Sequence, residues 1–543
     1  MSAHLGFSPR SDIGDRTVYL MALAAAAITL AFAVTTNQVW EDYYITFRIS
    51  RNLVEGHGLV YQVGERVHAF TSPLGVLLPA LGLWITGSDA GALLFFRVLG
   101  AAALAGAAVL VAVHGRDHGW NRSSLWFVFI LGILNTKTVA FAANGKETGL
   151  LVYFAVLAWR ELTRPAGPCW PALALGYGGL MWTRPDACIL ATAMTAGWWI
   201  FGVHSIEINA RRVWWRKVGA ALIAGGVLYA PWFLWAWHYY GSPVPQTIVA
   251  KAGMMPEGLS LFRIVLAPLR CLMEDTGLDG VFAPAYCFAQ NWPRDLISAL
   301  RLLARLSAFL WIIPSLPRPV RAASLAVLTG GVYFHQINPY PWYCAPWTLL
   351  ASVALAGASE TLCTRLSGSI RTVGFITVRM VAAVSLGLLF AVTYSSRIQQ
   401  HYIEDEGRHQ IGLWLHAHAT SGDTVFLESL GYIGYFSQLK MLDVPGLSAP
   451  EVSRLIRSGR RDYASLIGAL RPSWVVIRPH EYFGHHLNEN GGLRDYVLVH
   501  HWNVRPALDA ISFLPSRGLL EFDAEYLVFK RQDPKSSPLA SPT

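Results

Sequence analysis

Long apolar stretches separated by short polar ones fill the first 395 residues, and the texture changes after Ser395. Apolar segments lie near Thr17–Thr36, Leu74–Ile85, Leu93–Val113, Leu125–Ala143, Thr148–Trp159, Pro171–Trp182, Ala187–Val203, Val218–Trp237, Leu296–Pro314, Ala322–Phe334, Tyr343–Ala358 and Val373–Tyr394. Thr17–Thr36 alone is a run of 20 residues without Asp, Glu, Lys, Arg or His, long enough to cross a bilayer as a helix. Beyond Ser395, short β-rich runs (TVFL, WVVI, YVLV, EYLVF) alternate with polar breaks, the pattern of a soluble α/β domain. The closing residues QDPKSSPLASPT read as a disordered tail. The pattern predicts a mostly α chain. Residues 1–395 form a polytopic membrane helical bundle of about 11–12 membrane segments, residues 396–530 an extracytoplasmic α/β domain, and 531–543 the tail.

Arg10 and Arg16 ahead of the first run, and Ala31-Phe32-Ala33 near its end, give it some features of a cleaved signal. Its length and the repeated re-entry of the chain predict a retained first span instead. Composition agrees: 53% of residues are hydrophobic and 14% charged, against about 25% charged in soluble domains. The net charge of +9 is the positive-inside bias rather than a nucleic-acid footprint, since no basic run carries interleaved aromatics. The partner this implies is the lipid bilayer. Basic clusters at Arg116/Arg122, Arg160/Arg164, Arg211–Lys217, Arg318/Arg321 and Arg365/Arg371 are expected on the cytoplasmic side. Parity then closes at about eleven spans if Leu74–Ile85 is a short interfacial or re-entrant helix. Segments 38–70, 144–147, 183–186, 238–295 and 336–342 fall outside with the C-terminal domain, and the polar, charged and aromatic residues gather in them. A transporter would carry its charges mid-membrane along a path.

Six cysteines are scattered with no CxxC pair. Cys271 and Cys287 share one outer segment, as a disulfide or as two lone thiols. The His485-His486 and His500-His501 pairs lack metal-ligand spacing. The 21 tryptophans suit interface belts. Trp342, near His335, has sugar stacking as its alternative.

Glu41 and Asp42 follow the first span directly, at a depth where a carboxylate meets both a lipid-anchored donor and a water-borne acceptor. Ile45, Ile49 and Leu53 recur at helical spacing, predicting a helix lying on the membrane, with Arg48 and Arg51 on one face. The bland alternative is an interfacial helix with acidic N-terminal residues and snorkelling arginines. Arg184 and Asp186 flank Pro185, as site residues or as a local ion pair at a helix start. Lys137 lies inside an apolar run, about 10 Å from its outer end at helical rise. It either snorkels outward or reaches a phosphate. Arg301 and Arg305 pose the same choice.

The string EDYYITFRISRNLVEGHGLVYQVGERVHAFTSPL, Glu41 to Leu74, resembles the first outer loop of the GT-C membrane glycosyltransferases. Within that group it is most similar to the terminal arabinofuranosyltransferases of mycobacterial cell-wall synthesis and their bacterial relatives. Asp42 matches the second member of their Asp-Asp pair, and Glu41 replaces the first. Arg48, Arg51, Asn52, Gly56, His57, Gly58, Gly64, Glu65, Val67 and Thr71 match as well. His68 and Ala69 stand where those proteins have Glu-Gly. Further on, NGKETGL (from Asn144), TRPDA (from Thr183), YYGSPVPQTIVAK (from Tyr239) and GYIGYFSQLKMLDVPGL (from Gly431) resemble family elements in the same order.

The resemblance implies a GT-C bundle in a bacterial inner membrane and a glycosyltransferase activity. The donor it implies is a polyprenyl-phosphate sugar, arabinofuranose in the relatives. The acceptor is a cell-envelope glycan or a glycoprotein such as a pilin. One carboxylate plus cations suffices for such a transfer, because a phosphodiester is already a good leaving group. Asp42 is then the base or anomeric-centre stabiliser, with Glu41 assisting. Arg48, Arg51, Lys137, Arg184 and Lys251 are candidates to neutralise phosphate. Glu147 and Asp186 bind sugar hydroxyls or hold those cations. A divalent cation on Glu41 and Asp42 stays open. The alternatives are another lipid-phosphate sugar on the same fold, or a glycolipid flippase or transporter without transferase activity.

Overall fold

Each of the twelve apolar segments becomes helical in the computed structural model, which describes residues 13–203, 207–254, 261–274, 277–285, 291–337, 340–365, 370–487 and 489–532. The first helices are α1 (Asp15–Thr36), α2 (Glu41–Val54), α3 (Pro73–Thr86), α4 (Asp89–Asp117), α5 (Arg122–Val128), α6 (Thr136–Ala143), α7 (Thr148–Thr163), α8 (Trp170–Thr183) and α9 (Ala187–Phe201). Then come α10 (Ile208–Tyr240), α11 (Gln246–Met254), α12 (Leu261–Met273), α13 (Arg294–Phe309), α14 (Arg318–Phe334), α15 (Pro341–Arg365) and α16 (Ile370–Ile398). A π-helix, Gln399–Arg408, leads into α17 (His409–His418), α18 (Gly431–Ser437), α19 (Pro450–Arg457) and α20 (Tyr463–Leu470), which alternate with strands. The expected disulfide and most of the expected tail fall on Cys287 and residues 533–543, outside the described residues.

Among the described residues, four helices are long and apolar enough to cross a membrane: Asp15–Thr36, Asp89–Asp117, Ile208–Tyr240 and Ile376–His418. The bent pair Arg122–Ile133 with Thr136–Ala143 makes a fifth. Other apolar segments are shorter helices; α3 has 14 residues, α9 has 15 and α7 has 16. A 14-residue helix rises only about 21 Å, short of a hydrocarbon core of about 30 Å. Leu74–Ile85 was expected to be such a short helix, and α3 is one. Local chemistry sets its ends: Ser72 caps it with Pro73 in the first turn, and Gly87 closes it in the left-handed region.

The chain divides into two compact units. The first takes residues 1–38, 72–234 and 259–396 and holds the long apolar helices. Its backbones approach closely where α4, α6 and α7 meet. A side chain at Gly149 would lie 2.6 Å from the Gly100 carbonyl, so only glycine fits. Arg97, the one charge in the apolar stretch Leu93–Val113 of α4, is buried. It bonds the Ala143 carbonyl at 2.9 Å, Asn37 at 3.2 Å and the Gln38 carbonyl at 2.7 Å, tying the ends of α6 and α1.

The second unit takes residues 39–71, 235–258 and 397–543. Its sheet has β1 (Thr424–Leu427), β2 (Lys440–Asp443), β3 (Trp474–Ile477), β4 (Tyr496–Asn503) and β5 (Glu525–Arg531), in the order β2-β1-β3-β5-β4. β1 runs parallel to β2 and β3, and β5 antiparallel to β3 and β4. The four β-rich runs of the sequence are four of these strands, and β2 is the one they leave out. Phe426, Leu442, Val475 and Ile477 pack with Val452 and Leu466 in the core.

Candidate functional site

In the second unit the two adjacent carboxylates open α2. Trp40 is the N-cap in extended conformation, and Glu41 and Asp42 occupy the first turn, where the helix dipole favours negative charge. Both are half-buried. The Gly431 N–H donates to Glu41 Oε1. Burial pushes the Glu41 carboxyl up to about 8. Arg408 and the Gly431 N–H pull against that shift, while the charges of Asp42 and Glu428 reinforce it. With its carboxyl near 8, Glu41 holds its proton at neutral pH.

The segment around this pair is seated by the C-terminal part of the same unit. Val39 N–H donates to Gln400 of the π-helix at 2.8 Å, and Gln400 donates to Tyr432 at 3.1 Å. The Tyr61 hydroxyl donates to the Leu430 carbonyl at 3.0 Å. Tyr44 packs on Tyr432, Tyr435 and Phe436 of α18 with centroids 4.4–5.2 Å apart. The face of α2 that carries Tyr44, Phe47 and Arg48 packs on α18, whose aromatic rings supply a matching surface, and Ile45 and Ile49 are buried as well.

Arg48 is buried in that packing. Its guanidinium donates to the Gly434 carbonyl at 2.9 Å and the Leu439 carbonyl at 3.1 Å, and lies 4.5 Å from the Tyr61 ring centroid. These bonds staple α2 to the C-terminal segment, while the Arg48 Nε makes no hydrogen bond. Arg51 keeps more exposure, reaches Glu55 at 4.0 Å and stands over the Tyr435 ring at 5.0 Å. Lys251 is exposed on α11. That helix is anchored by Gln246, whose side chain donates to the Gly446 carbonyl at 3.0 Å and to Ser453 at 2.8 Å. His68, at a position where this chain departs from the family run, is buried and stacks on Tyr240 at 4.5 Å. The Asp443 carboxylate accepts from Ser448 N–H at 2.8 Å and Ser448 Oγ at 2.7 Å, so this part of the C-terminal motif locks a loop.

The first unit holds a second cluster, at helix ends. Arg184 closes α8, Glu147 precedes α7 and Asp186 precedes α9. Buried Arg184 donates from Nε to Asp186 Oδ1 at 3.0 Å and from Nη1 to Glu147 Oε1 at 3.3 Å. Its plane lies 4.0 Å from the Tyr343 ring centroid. Tyr333 Oη donates to Asp186 Oδ2 at 3.0 Å. A small cavity of about 20 Å³ is lined by Arg184, Asp186, Leu190, Tyr333, Tyr343 and Trp347, among others. The local Arg–Asp pair of the sequence reading is present, joined by Glu147 and two tyrosines.

Lys137 reaches the segment expected outside, where it bonds backbone carbonyls. A π-turn at Phe129–Ile133 breaks the run, so Lys137 sits in the first turn of α6 behind the N-cap Asn135. Its ammonium donates to Asn135 Oδ1 at 3.2 Å, the Val281 carbonyl at 2.7 Å and the Ala283 carbonyl at 3.0 Å. Three acceptors match its three N–H groups, so it pins a loop. Arg301 pairs with Asp279 at 3.5 Å. Trp342 stacks on Tyr340 at 4.7 Å and lies under the Lys146 ammonium. Among the described residues no group of three His, Cys, Asp or Glu converges. Glu41 and Asp42 are two adjacent carboxylates, fewer ligands than a divalent cation usually takes from protein and water together.

Sequence reasoning singled out neither Gln400, Arg408 and Gly431 around Glu41 nor Tyr333 and Tyr343 around Arg184. Gly431 lay inside a motif that resembled the family. Arg97, a lone charge in an apolar run, was visible as an anomaly.

Residues 396–529 match a family described as a domain of unknown function (DUF8728). The chain is 28% identical over 255 residues to a terminal β-(1→2)-arabinofuranosyltransferase of Mycobacterium tuberculosis, covering 42% of this chain and 38% of that protein. It is 29% identical over 274 residues to a terminal β-(1→2)-arabinofuranosyltransferase of Corynebacterium glutamicum, covering 44% and 36%. The matched region thus spans less than two-fifths of the length of these relatives. ArnT from Cupriavidus metallidurans in the apo state aligns over 95% of this chain and 98% of its own, with a TM-score of 0.55 at 13% identity. Its undecaprenyl-phosphate-bound form aligns over 96% and 99%, with a TM-score of 0.53 at 14% identity. The chain therefore has the fold of the GT-C membrane glycosyltransferases, a helical membrane bundle with a small C-terminal sheet.

Proposed function

We propose that this chain is an integral membrane glycosyltransferase of a bacterial inner membrane, with its C-terminal domain outside the cytoplasm. It transfers a sugar, arabinofuranose, from a polyprenyl-phosphate donor to a cell-envelope glycan or surface-protein acceptor. The observation that carries this is the Glu41–Asp42 pair, half-buried in the first turn of α2 directly after the first span. Two relatives named as arabinofuranosyltransferases support the reaction class. An undecaprenyl-phosphate-bound protein of the same fold supports the donor lipid.

In this reading Asp42 accepts the proton of the acceptor hydroxyl as its oxygen attacks the anomeric carbon. The bond from that carbon to the phosphate oxygen breaks, and polyprenyl phosphate leaves with the electron pair. Protonated Glu41 assists as a hydrogen-bond donor without adding charge. Arg51 and Lys251 are the cations of the same unit assigned to the leaving phosphate. The test is transfer from a synthetic polyprenyl-phosphate arabinofuranose by purified protein, following the released polyprenyl phosphate and the glycosylated product. Asp42→Asn should fold and insert normally yet lose about 10²–10⁴-fold in rate, the usual cost of a missing general base. Wild-type rates in that variant would remove the assignment and leave the pair as acidic residues at a helix start.

A further inference from the structure

Four arginines crowd into one short stretch of the second unit. Arg454 and Arg457 share a face of α19, and Arg460 and Arg461 follow just beyond its end. All four are exposed. Among the described residues none of them pairs with a carboxylate; Arg454 and Arg457 donate to carbonyls of their own helix, those of Pro450 and Ser453, at 3.4 Å. The two carboxylates of the same stretch are committed elsewhere. Glu451 pairs with Lys440 at 3.5 Å, and Asp462 accepts from Ser465 N–H at 2.8 Å and Ser465 Oγ at 2.7 Å. The stretch is therefore a patch of net positive charge. It lies in a folded domain, where the positive-inside bias of short loops does not account for it.

Contacts within the unit tie this patch to the end of a membrane span. Trp235, Trp237, Tyr239 and Tyr240 close α10, at the end away from the Arg211–Lys217 cluster, and form an aromatic belt of the kind that marks a bilayer surface. Tyr240 stacks on His68 at 4.5 Å, and the His68 carbonyl accepts from Gln246 N–H at 2.9 Å. The Gln246 side chain donates to Ser453 of α19 at 2.8 Å, and the arginines begin at the next residue. A Cβ on Gly253 of α11 would lie 3.4 Å from Arg457 Cγ, so α11 and the patch are in contact. Arg66 adds a further cation, 5.0 Å over the Tyr239 ring. Val244 and Ile248, on either side of Gln246, leave apolar side chains exposed.

We propose that this patch is a membrane-docking surface, which seats the domain on anionic phospholipid headgroups around the end of α10. The inference rests on α10 being a span and is independent of sugar transfer. Guanidinium forks match phosphate oxygens. Their attraction to an anionic bilayer reaches about 8 Å at physiological ionic strength, so the patch must lie near the membrane, as its link to the aromatic belt provides. Exposed apolar side chains beside such cations enter the headgroup boundary.

The test is hydrogen exchange of residues 455–462 in the full-length protein. It is reconstituted in nanodiscs of phosphatidylcholine alone, or of equal parts phosphatidylcholine and phosphatidylglycerol. Anionic lipid should slow exchange of that stretch about 10-fold, a shift of about 1.4 kcal/mol, while strand Tyr496–Asn503 exchanges alike in both. The slowing should vanish in about 1 M salt, where the Debye length falls to about 3 Å. It should also vanish when Arg454→Gln, Arg457→Gln, Arg460→Gln and Arg461→Gln are combined. Arg460→Gln with Arg461→Gln alone changes only exposed residues outside the helix and should leave a slowing of about 3-fold. Equal exchange in the two lipids overturns the proposal, as does slowing that survives in the four-arginine variant. Slowing by soluble polyphosphate but not by the anionic bilayer would give the patch to a soluble polyanion and overturn docking as well. None of these outcomes bears on transfer, which the Asp42→Asn rates decide.

Discussion

At the scale of single residues, the chemistry hangs on where each proton and each N–H goes. The Glu41–Asp42 pair stood out in the sequence because it directly follows a span and resembles a family element. The roles of the cations were not legible. Arg48 and Lys137 stood out as bare charges because a sequence shows a charge without its partners, and in the fold both bond backbone carbonyls, with Arg48 Nε left over. The raised Glu41 carboxyl was likewise invisible, since it arises chiefly from burial, with Asp42 and the distant Glu428 adding to it. It leads to a pH prediction. With its carboxyl held near 8, Glu41 is neutral at pH 7 and ionises as pH rises through about 8. Ionised Glu41 can no longer donate and places a second negative charge beside Asp42, so transfer should fall on the alkaline side. Glu41→Gln supplies a permanently neutral donor of the same shape that can still accept from Gly431. Its rate at pH 7 should stay within about 10-fold of wild type, and the decline above pH 8 should vanish. Rate profiles from pH 6 to 9.5 for both proteins check this, and an unchanged alkaline limb in Glu41→Gln would assign that limb to another group.

At the scale of elements, the twelve apolar segments announced their helices, and four of five strands showed as β-rich runs. The break inside Leu125–Ala143 was harder to see, although Asn135, a good N-cap residue in an apolar run, was its sign. The π-helix Gln399–Arg408 had no such sign. Its spacing is a property of the backbone, expressed here in side-chain bonds five residues apart, Gln399 to Glu404 and Gln400 to Asp405. Segments of this kind are rare and concentrate at functional sites, and this one carries the Gln400 that holds Val39. Opposite it, α18 approaches α2 so closely that a Cβ on Gly431 would collide with the Glu41 backbone carbonyl and lie 2.8 Å from its Oε1. Gly431→Ala should therefore push the start of α2 away and misplace both carboxylates. Overpacking of this sort costs about 1–3 kcal/mol, and displacing reacting groups by about 1 Å can cost 10²-fold in rate. Gly468→Ala on α20, where a Cβ meets nothing within 4 Å, is the control. Thermal unfolding and kcat for both variants check the expectation, and equal kcat in the two would show that the contact does not position the carboxylates.

At the scale of the molecule, the hydropathy boundary near 395 separates two textures, but contact draws the division elsewhere. The second unit recruits 39–71 and 235–258 from the membrane-bundle half of the sequence. A linear reading could not see this, because the reason is pairing across hundreds of residues. Arg48 satisfies the Gly434 and Leu439 carbonyls, Tyr61 satisfies Leu430, and Gln62 exchanges two bonds with the Met441 backbone at 2.9 and 3.2 Å. Tyr44 and Phe47 cover the aromatic surface of α18. A fragment of residues 396–532 alone would leave those backbone groups without their partners and the rings of Tyr432, Tyr435 and Phe436 uncovered. Each lost bond is worth about 1 kcal/mol net, and in a fragment of this size about 1 kcal/mol moves the melting temperature by roughly 4 °C. The isolated fragment should therefore melt at least about 10 °C below the same fragment joined by a flexible linker to residues 39–71. The Arg48→Met form of the linked protein should fall most of the way back. Circular dichroism melts of the three proteins decide it. Identical midpoints would mean that the C-terminal segment folds without the carboxylate-bearing loop, and that α2 merely rests on a finished surface.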